Sequence, residues 1–257
     1  RASFLQALTT AFGISPTAQA NATAPKAIGG AITVGAQGGS IDAASISLDA
    51  SAEVASYDGT GQGPVARGGT IDLYAINDAA LNGGSIENGY GASIFAGGDA
   101  DSGGNSGASA QGGTVNILAR GGTINTSSFN VGVAANGGFS NEGGQNGTAL
   151  GGTINLTVDA APAGAPASAI NVASGSPGFS VSTFDASAGF QTIAEGITVA
   201  RSAGADLSAD AGEGGSSGGD AIGGNINFTI NDGNFSAGIL NMRSEGVGAI
   251  APPTEIG

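Results

Sequence analysis

Two glycines, one small polar residue and an isoleucine or valine return along the chain as "RGGTIDL" from Arg67, "QGGTVNIL" from Gln111, "LGGTINLTV" from Leu150 and "IGGNINFTI" from Ile222. A unit that recurs with its own turn signal and its own alternating stretch confines the chain to repeat architectures. In these, each unit buries its apolar face only against its neighbours. The first glycines of the clearest units are Gly29, Gly68, Gly112 and Gly151, spaced by 39, 44 and 39 residues, and the next, Gly223, follows after 72. The long interval reads as two steps of 36 with one degenerate member, giving a period near 40 and about five or six turns. A second, weaker pair stands inside several repeats, at Gly38, Gly83 and Gly121.

Each unit opens a strand. In "TINLTVDA" the residues Ile154, Leu156, Val158 and Ala160 share one face and Thr153, Asn155, Thr157 and Asp159 the other. Ile71 and Leu73, Val115 and Ile117, and Ile226 and Phe228 repeat that alternation, so these are the expected inward residues. A mid-repeat strand follows, with Ile46, Leu48, Ala50, Ala52 and Val54 in one repeat and Phe129, Val131 and Val133 in another. Period two over short segments means strands. Between the mid-repeat strand and the next glycine pair come polar, glycine-rich stretches from Ser56, Gly97, Asn136 and Ala209, which read as projecting loops. Only "SFLQALTTAF", residues 3–12, has helical spacing, with Ser3 as its cap.

Strands that pair with their equivalents one repeat away stack in parallel. The expected fold is all-β: a right-handed parallel β-helix, or β-solenoid, with repeats of about 40 residues and a short N-terminal helical cap. Residues 1–28 are the cap segment, 29–232 the repeat domain and 233–257 an end segment or linker. The glycine pairs mark corners, where a positive φ or close backbone approach is required. A disordered glycine-rich chain and an ordinary β-sandwich fit the regular alternation less well.

Composition narrows the chemistry. Histidine and cysteine are absent, which removes Ser-His-Asp and Cys-His catalysis, thiolate or imidazole metal sites and disulfides. Six basic side chains stand against 20 acidic ones, for a net charge of −14, and Lys26 is the only lysine. Such a field repels phosphate backbones, so no nucleic-acid partner is expected. No apolar run is long enough for a transmembrane helix. The chain opens at Arg1 without a signal peptide, which reads as a processed product or a piece of something longer.

The chain is not expected to be an enzyme. Two-carboxylate catalysis would have to draw on Asp159 or Asp185 with Glu195, and their spacing singles none of them out. No cofactor is required. Calcium is the one candidate ligand: Asp99, Asp101 and Asn105 place oxygen ligands in a glycine-rich loop, although the closing bidentate acid is missing. A solvated acidic loop is the preferred reading there, and in the loop holding Asp210, Glu213 and Asp220. Asp42, Asp72, Asn116, Asn125, Asn155 and Asn227 each follow the first isoleucine or valine of a strand and could stack as a hydrogen-bonded ladder. Thr70, Thr114, Thr123 and Thr153 precede it and could form a flat outward array.

The recurrent "GGTINL" and "GGTIDL" units, the Ile/Val alternation, the Gly-Asn-Ser-Asp loops and the lack of cysteine resemble secreted passengers of bacterial type V systems. These are autotransporter and two-partner-secretion adhesins of the filamentous-haemagglutinin kind. The resemblance covers roughly residues 28–232 and is one of style. It implies a β-helix on the surface of Gram-negative bacteria or outside the cell, acting as a structural or adhesive component of a fibre. Surface glycans or other cell-surface components would be its partners. A carbohydrate-active β-helix enzyme acting on surface polysaccharide is the alternative. The open strand edges at the C-terminal end lead to a further expectation, continuation into more sequence or head-to-tail docking into a homopolymer.

Overall fold

In a computed structural model, residues 25–55, 63–77, 82–100, 107–138, 147–172, 204–208, 211–214, 220–237, 239–244 and 246–248 are described. Every element among them is a strand, and the expected helix over residues 3–12 lies outside them. Sheet A joins β1 (Lys26–Ile28), β6 (Val65–Arg67), β11 (Ser109–Gln111), β16 (Ala149–Leu150) and β21 (Ala221–Ile222). Sheet B, the widest, joins β2 (Ala31–Gln37), β7 (Thr70–Ile76), β12 (Thr114–Arg120), β17 (Thr153–Asp159) and β22 (Asn225–Ile230). Sheet C holds β3 (Ser40–Ala43), β8 (Ser85–Asn88), β13 (Thr123–Thr126), β18 (Ala169–Val172) and β23 (Asn234–Ala237). Sheet D holds β4 (Ile46–Asp49), β9 (Ala92–Phe95), β14 (Phe129–Gly132), β19 (Gly204–Ser208) and β24 (Ile239–Arg243). Sheet E holds β5 (Ala52–Val54), β10 (Gly98–Ala100), β15 (Ala135–Asn136), β20 (Ala211–Gly214) and β25 (Gly246–Gly248).

Each strand pairs in parallel with the strand five places further on, so the chain visits the five sheets in the same order on every circuit. That is the topology of a parallel β-solenoid. In sheet B, Ala31 stacks on Thr70, Thr70 on Thr114, Thr114 on Thr153 and Thr153 on Asn225. The interval before Gly223 is therefore one circuit, not two. Its extra length falls between β18 and β19, where residues 173–203 lie outside the described part. The sheets also run past residues 29 and 232: β1 starts at Lys26, and β23, β24 and β25 complete a fifth circuit.

Two interiors result. Sheets B, C and D enclose a core of Ile, Leu, Val and Phe, including Ile71, Leu73, Ile117, Ile124, Phe129, Ile154, Leu156 and Ile170. Each such side chain contributes about 1.5–3 kcal/mol on burial. Sheets A and E enclose a separate interior made almost wholly of alanine: Ala27, Ala52, Ala66, Ala100, Ala108, Ala110, Ala135 and Ala149, with Val54. The expected mid-repeat strand is thus two strands in two sheets, divided at Ala50 and Ser51. The stretches read as loops from Gly97 and Asn136 likewise contribute β10, β11 and the end of β15, because alanine and glycine fill their inward positions.

The glycine pairs separate the two interiors. Gly69, Gly113 and Gly152 donate their N–H groups across the coil to the carbonyls of Ala50 (2.8 Å), Ala96 (2.6 Å) and Val133 (2.9 Å). Backbone meets backbone there, and a methyl on Gly68 or Gly112 would run into the Ala96 or Val133 carbonyl oxygen. Close approach is what these pairs supply; the left-handed backbone belongs to the weaker corners, at Gly38 (φ 65) and Gly121 (φ 66).

Candidate functional site

The outer face of sheet B carries the most ordered polar arrangement. Strand parity turns Asp72, Asn116, Asn155 and Asn227 outward, and parallel register stacks them in one row above Thr33. Asn116 Nδ2 donates to Asp72 Oδ1 (2.7 Å), Asn155 Nδ2 to Asn116 Oδ1 (2.7 Å) and Asn227 Nδ2 to Asn155 Oδ1 (2.8 Å). Every amide therefore donates toward the N-terminal end, and the row terminates on a carboxylate. Each amide has two N–H donors, of which the row uses one.

Asp42 and Asn125 do not belong to that row. They lie in sheet C, where Asn125 Nδ2 donates to Glu87 (2.7 Å), Asn171 Nδ2 to Asn125 Oδ1 (2.8 Å) and the Ser236 hydroxyl to Asn171 Oδ1 (3.0 Å). Glu87, Asn171 and Ser236 are members that sequence reasoning missed. The available signal was the position two residues into each four-residue strand. The threonine array divides in the same way: Thr70, Thr114 and Thr153 stack in sheet B between Ala31 and Asn225, while Thr123 sits in sheet C beside Ser85.

Beside the sheet B row lies Tyr74, half-buried, with its ring over Gly35 of the neighbouring strand; a β-carbon on Gly35 would occupy the ring's place. An aromatic ring on a sheet face, flanked by amides, a carboxylate and hydroxyls, can stack on the apolar face of a sugar and hydrogen-bond its hydroxyls.

The acidic candidates are dispersed. Asp99 stands half-buried in β10, in register with Glu53 of β5 and Asn136 of β15. Asp101 and Asn105 lie outside the described residues, as do Asp185, Glu195 and Asp210. Asp159 accepts hydrogen bonds from Asn231 Nδ2 (3.1 Å) and the Ala160 N–H (2.9 Å), which hold its carboxyl below the usual range. Among the described residues no group of three or more Asp, Glu, His or Cys is placed to hold a metal ion. No helix among them is long and apolar enough to cross a membrane. Compared with known proteins, the chain matches no family model, no curated protein and no solved structure.

Proposed function

We propose that the chain is a structural and adhesive component of a bacterial cell-surface or extracellular fibre, coiled right-handed with about 40 residues per turn, and not an enzyme. The outer face of sheet B is the observation that carries this reading. A row of four side chains linked by three hydrogen bonds is rigid and repetitive, and Tyr74 adds an aromatic contact beside it. Such a face suits a polyhydroxylated surface that is itself repetitive, and its ligand class is surface glycan. Secretion through a type V route accords with the cysteine-free, lysine-poor composition. The test is retention of the purified chain on a panel of bacterial and host polysaccharides. Binding that Tyr74→Ala weakens about tenfold without altering the circular dichroism supports the reading. Release of reducing ends that disappears on mutating one carboxylate overturns it in favour of a polysaccharide-cleaving enzyme.

A further inference from the structure

Among the described residues, the solenoid's interior is closed in its middle circuits and partly exposed in its fifth. Ile71, Ile117 and Leu156 are essentially inaccessible, whereas Leu240 is 38% and Met242 52% exposed in the fifth circuit. Phe228 and Phe235, packed edge-to-face at 4.9 Å, are only half-buried. In the first circuit Ile32, Val34 and Ile41 are half-buried in the same way. Because every pairing is parallel, the outer edge of the fifth circuit and the outer edge of the first are two halves of one ladder pattern.

Side chains at the two ends also match. In sheet A, Lys26 stacks on Val65 and Ser109, and the row passes through Thr148 to Asp220. The only lysine and an exposed aspartate thus occupy the same outward row at opposite ends. Two residues along, the row from Ile28 passes through Arg67, Gln111 and Leu150 to Ile222, and its two ends are 74% and 59% exposed. No like-charged pair shares a row at the two ends among the described residues.

We propose that the fifth circuit of one copy docks on the first circuit of another, in register, so that all five sheets continue from chain to chain. Asp220 then meets Lys26, and Ile222 covers Ile28. Because Lys26 and Asp220 stand on one sheet, their pairing fixes the rotation of one copy on the next as well as its direction. Inside, Phe228 and Phe235 meet Val34 and Ile41 and complete the interior. The amide row of sheet B passes from Asn227 to Thr33, whose hydroxyl can donate to an amide oxygen. A second copy is the occupant because it offers five parallel edges, the charge match and the apolar match together. The contact is heterologous and does not close, so it builds a filament with an axial repeat of about 24 Å, five strand spacings of ~4.8 Å. This deepens the fibre reading and rests on it.

The test is a charge swap on the full chain, read by sedimentation velocity and electron microscopy. The unaltered protein should form concentration-dependent linear oligomers. Lys26→Glu and Asp220→Lys should each weaken association at least tenfold, and the double variant should recover it. Residues 26 and 220 lie at opposite ends of one stack, so recovery reports a contact between copies. An equimolar mixture of the two single variants should likewise recover linear oligomers, with the two variants alternating, since both contacts between unlike variants pair an acidic end with a basic one. Monomers at all concentrations, with the ends covered by the chain's own segments, overturn the docking. Oligomers indifferent to both single changes overturn it equally. Glycan retention is measured on the same samples: monomers that still bind leave the adhesive reading standing, and oligomers that bind nothing overturn that reading alone.

Discussion

Gly69 has no room for a side chain, because the position a β-carbon would take is already held by the Gly30 carbonyl of the previous circuit. Gly113 and Gly152 are in the same situation against Gly69 and Gly113, each glycine pair packing on the one below it. Glycine at Gly39 has nothing within 4 Å of that position. Gly113→Ala should therefore cost about 2–3 kcal/mol through forced backbone displacement, whereas Gly39→Ala should stay within about 0.5 kcal/mol. Chemical denaturation of the two variants checks the contrast, and equal losses would remove the close packing of the glycine pairs as its cause. Asp159 makes a different residue-scale prediction. The Asn231 amide and the Ala160 N–H favour its ionised form, so its folded pKa lies below the unfolded value of about 3.9. The resulting stabilisation is complete above that value and is lost as the pH falls through the depressed folded value. Asp159→Asn should thus be less stable than the unaltered protein at pH 6, with the difference shrinking as the pH falls through the carboxylate range. Thermal melts across that range decide it, and a gap that widens on acidification would sink the assignment.

At the scale of strands, the sheet B row has a direction, and direction can be tested. Asn155 donates to Asn116 and accepts from Asn227, so it needs both halves of its amide. Asn155→Asp loses the donor and sets a carboxylate against the Asn116 oxygen, at a cost of about 1–2 kcal/mol. Asp72 only accepts, and Asp72→Asn keeps an oxygen facing Asn116, so it should be nearly neutral. Comparable effects from the two substitutions would contradict the directional row. This row was legible in the sequence because its members follow glycine pairs, which announce the strand and its parity. The row in sheet C was only half legible: Asn171 follows "PASAI", where no glycine pair sets the frame. Of the alanine interior of sheets A and E, only Ala52 and Val54 were legible. Alanine alternating with Ser, Gln and Asp carries little apolar contrast, so strands such as Ser109–Gln111 read as loop. Their burial is imposed by the facing sheet: a methyl on Gly98 would strike the Gln111 carbonyl, and apart from Val54 the buried apolar side chains between the sheets are alanines. Ala66→Leu should accordingly cost at least as much as Gly113→Ala, although leucine has the greater apolar area.

For the whole molecule, periodicity gave the stacking direction and the inward residues, and it failed at the fourth circuit. A count of residues between glycine pairs cannot distinguish a missing corner from an insertion, and the pairing of Thr153 with Asn225 shows one circuit there. The ends of the stack were likewise misplaced, because Phe235 and Leu240 continue the interior without a preceding Gly-Gly-Thr signal. Charge acts at this scale too, and it opposes the docking inferred from the ends. Two copies of net charge −14 repel over their whole surfaces, while the Lys26–Asp220 contact attracts only where the ends touch. The two terms respond differently to salt. At about 10 mM the screening length is ~30 Å, longer than the height of the stack, and the repulsion is felt almost entire. At about 150 mM it falls to ~8 Å, which removes most of the whole-body repulsion but only part of an attraction acting at ~4 Å. Association should therefore strengthen as salt rises from 10 to 150 mM and weaken again near 1 M, where the screening length of ~3 Å reaches the pair itself. Lys26→Glu should shift the whole curve toward weaker association and erase the decline near 1 M, because added salt then relieves repulsion at the end as well. Light scattering across the salt series separates these terms; a monotonic loss of association from 10 mM upward would mean that end-to-end attraction dominates and that the net charge does not govern assembly.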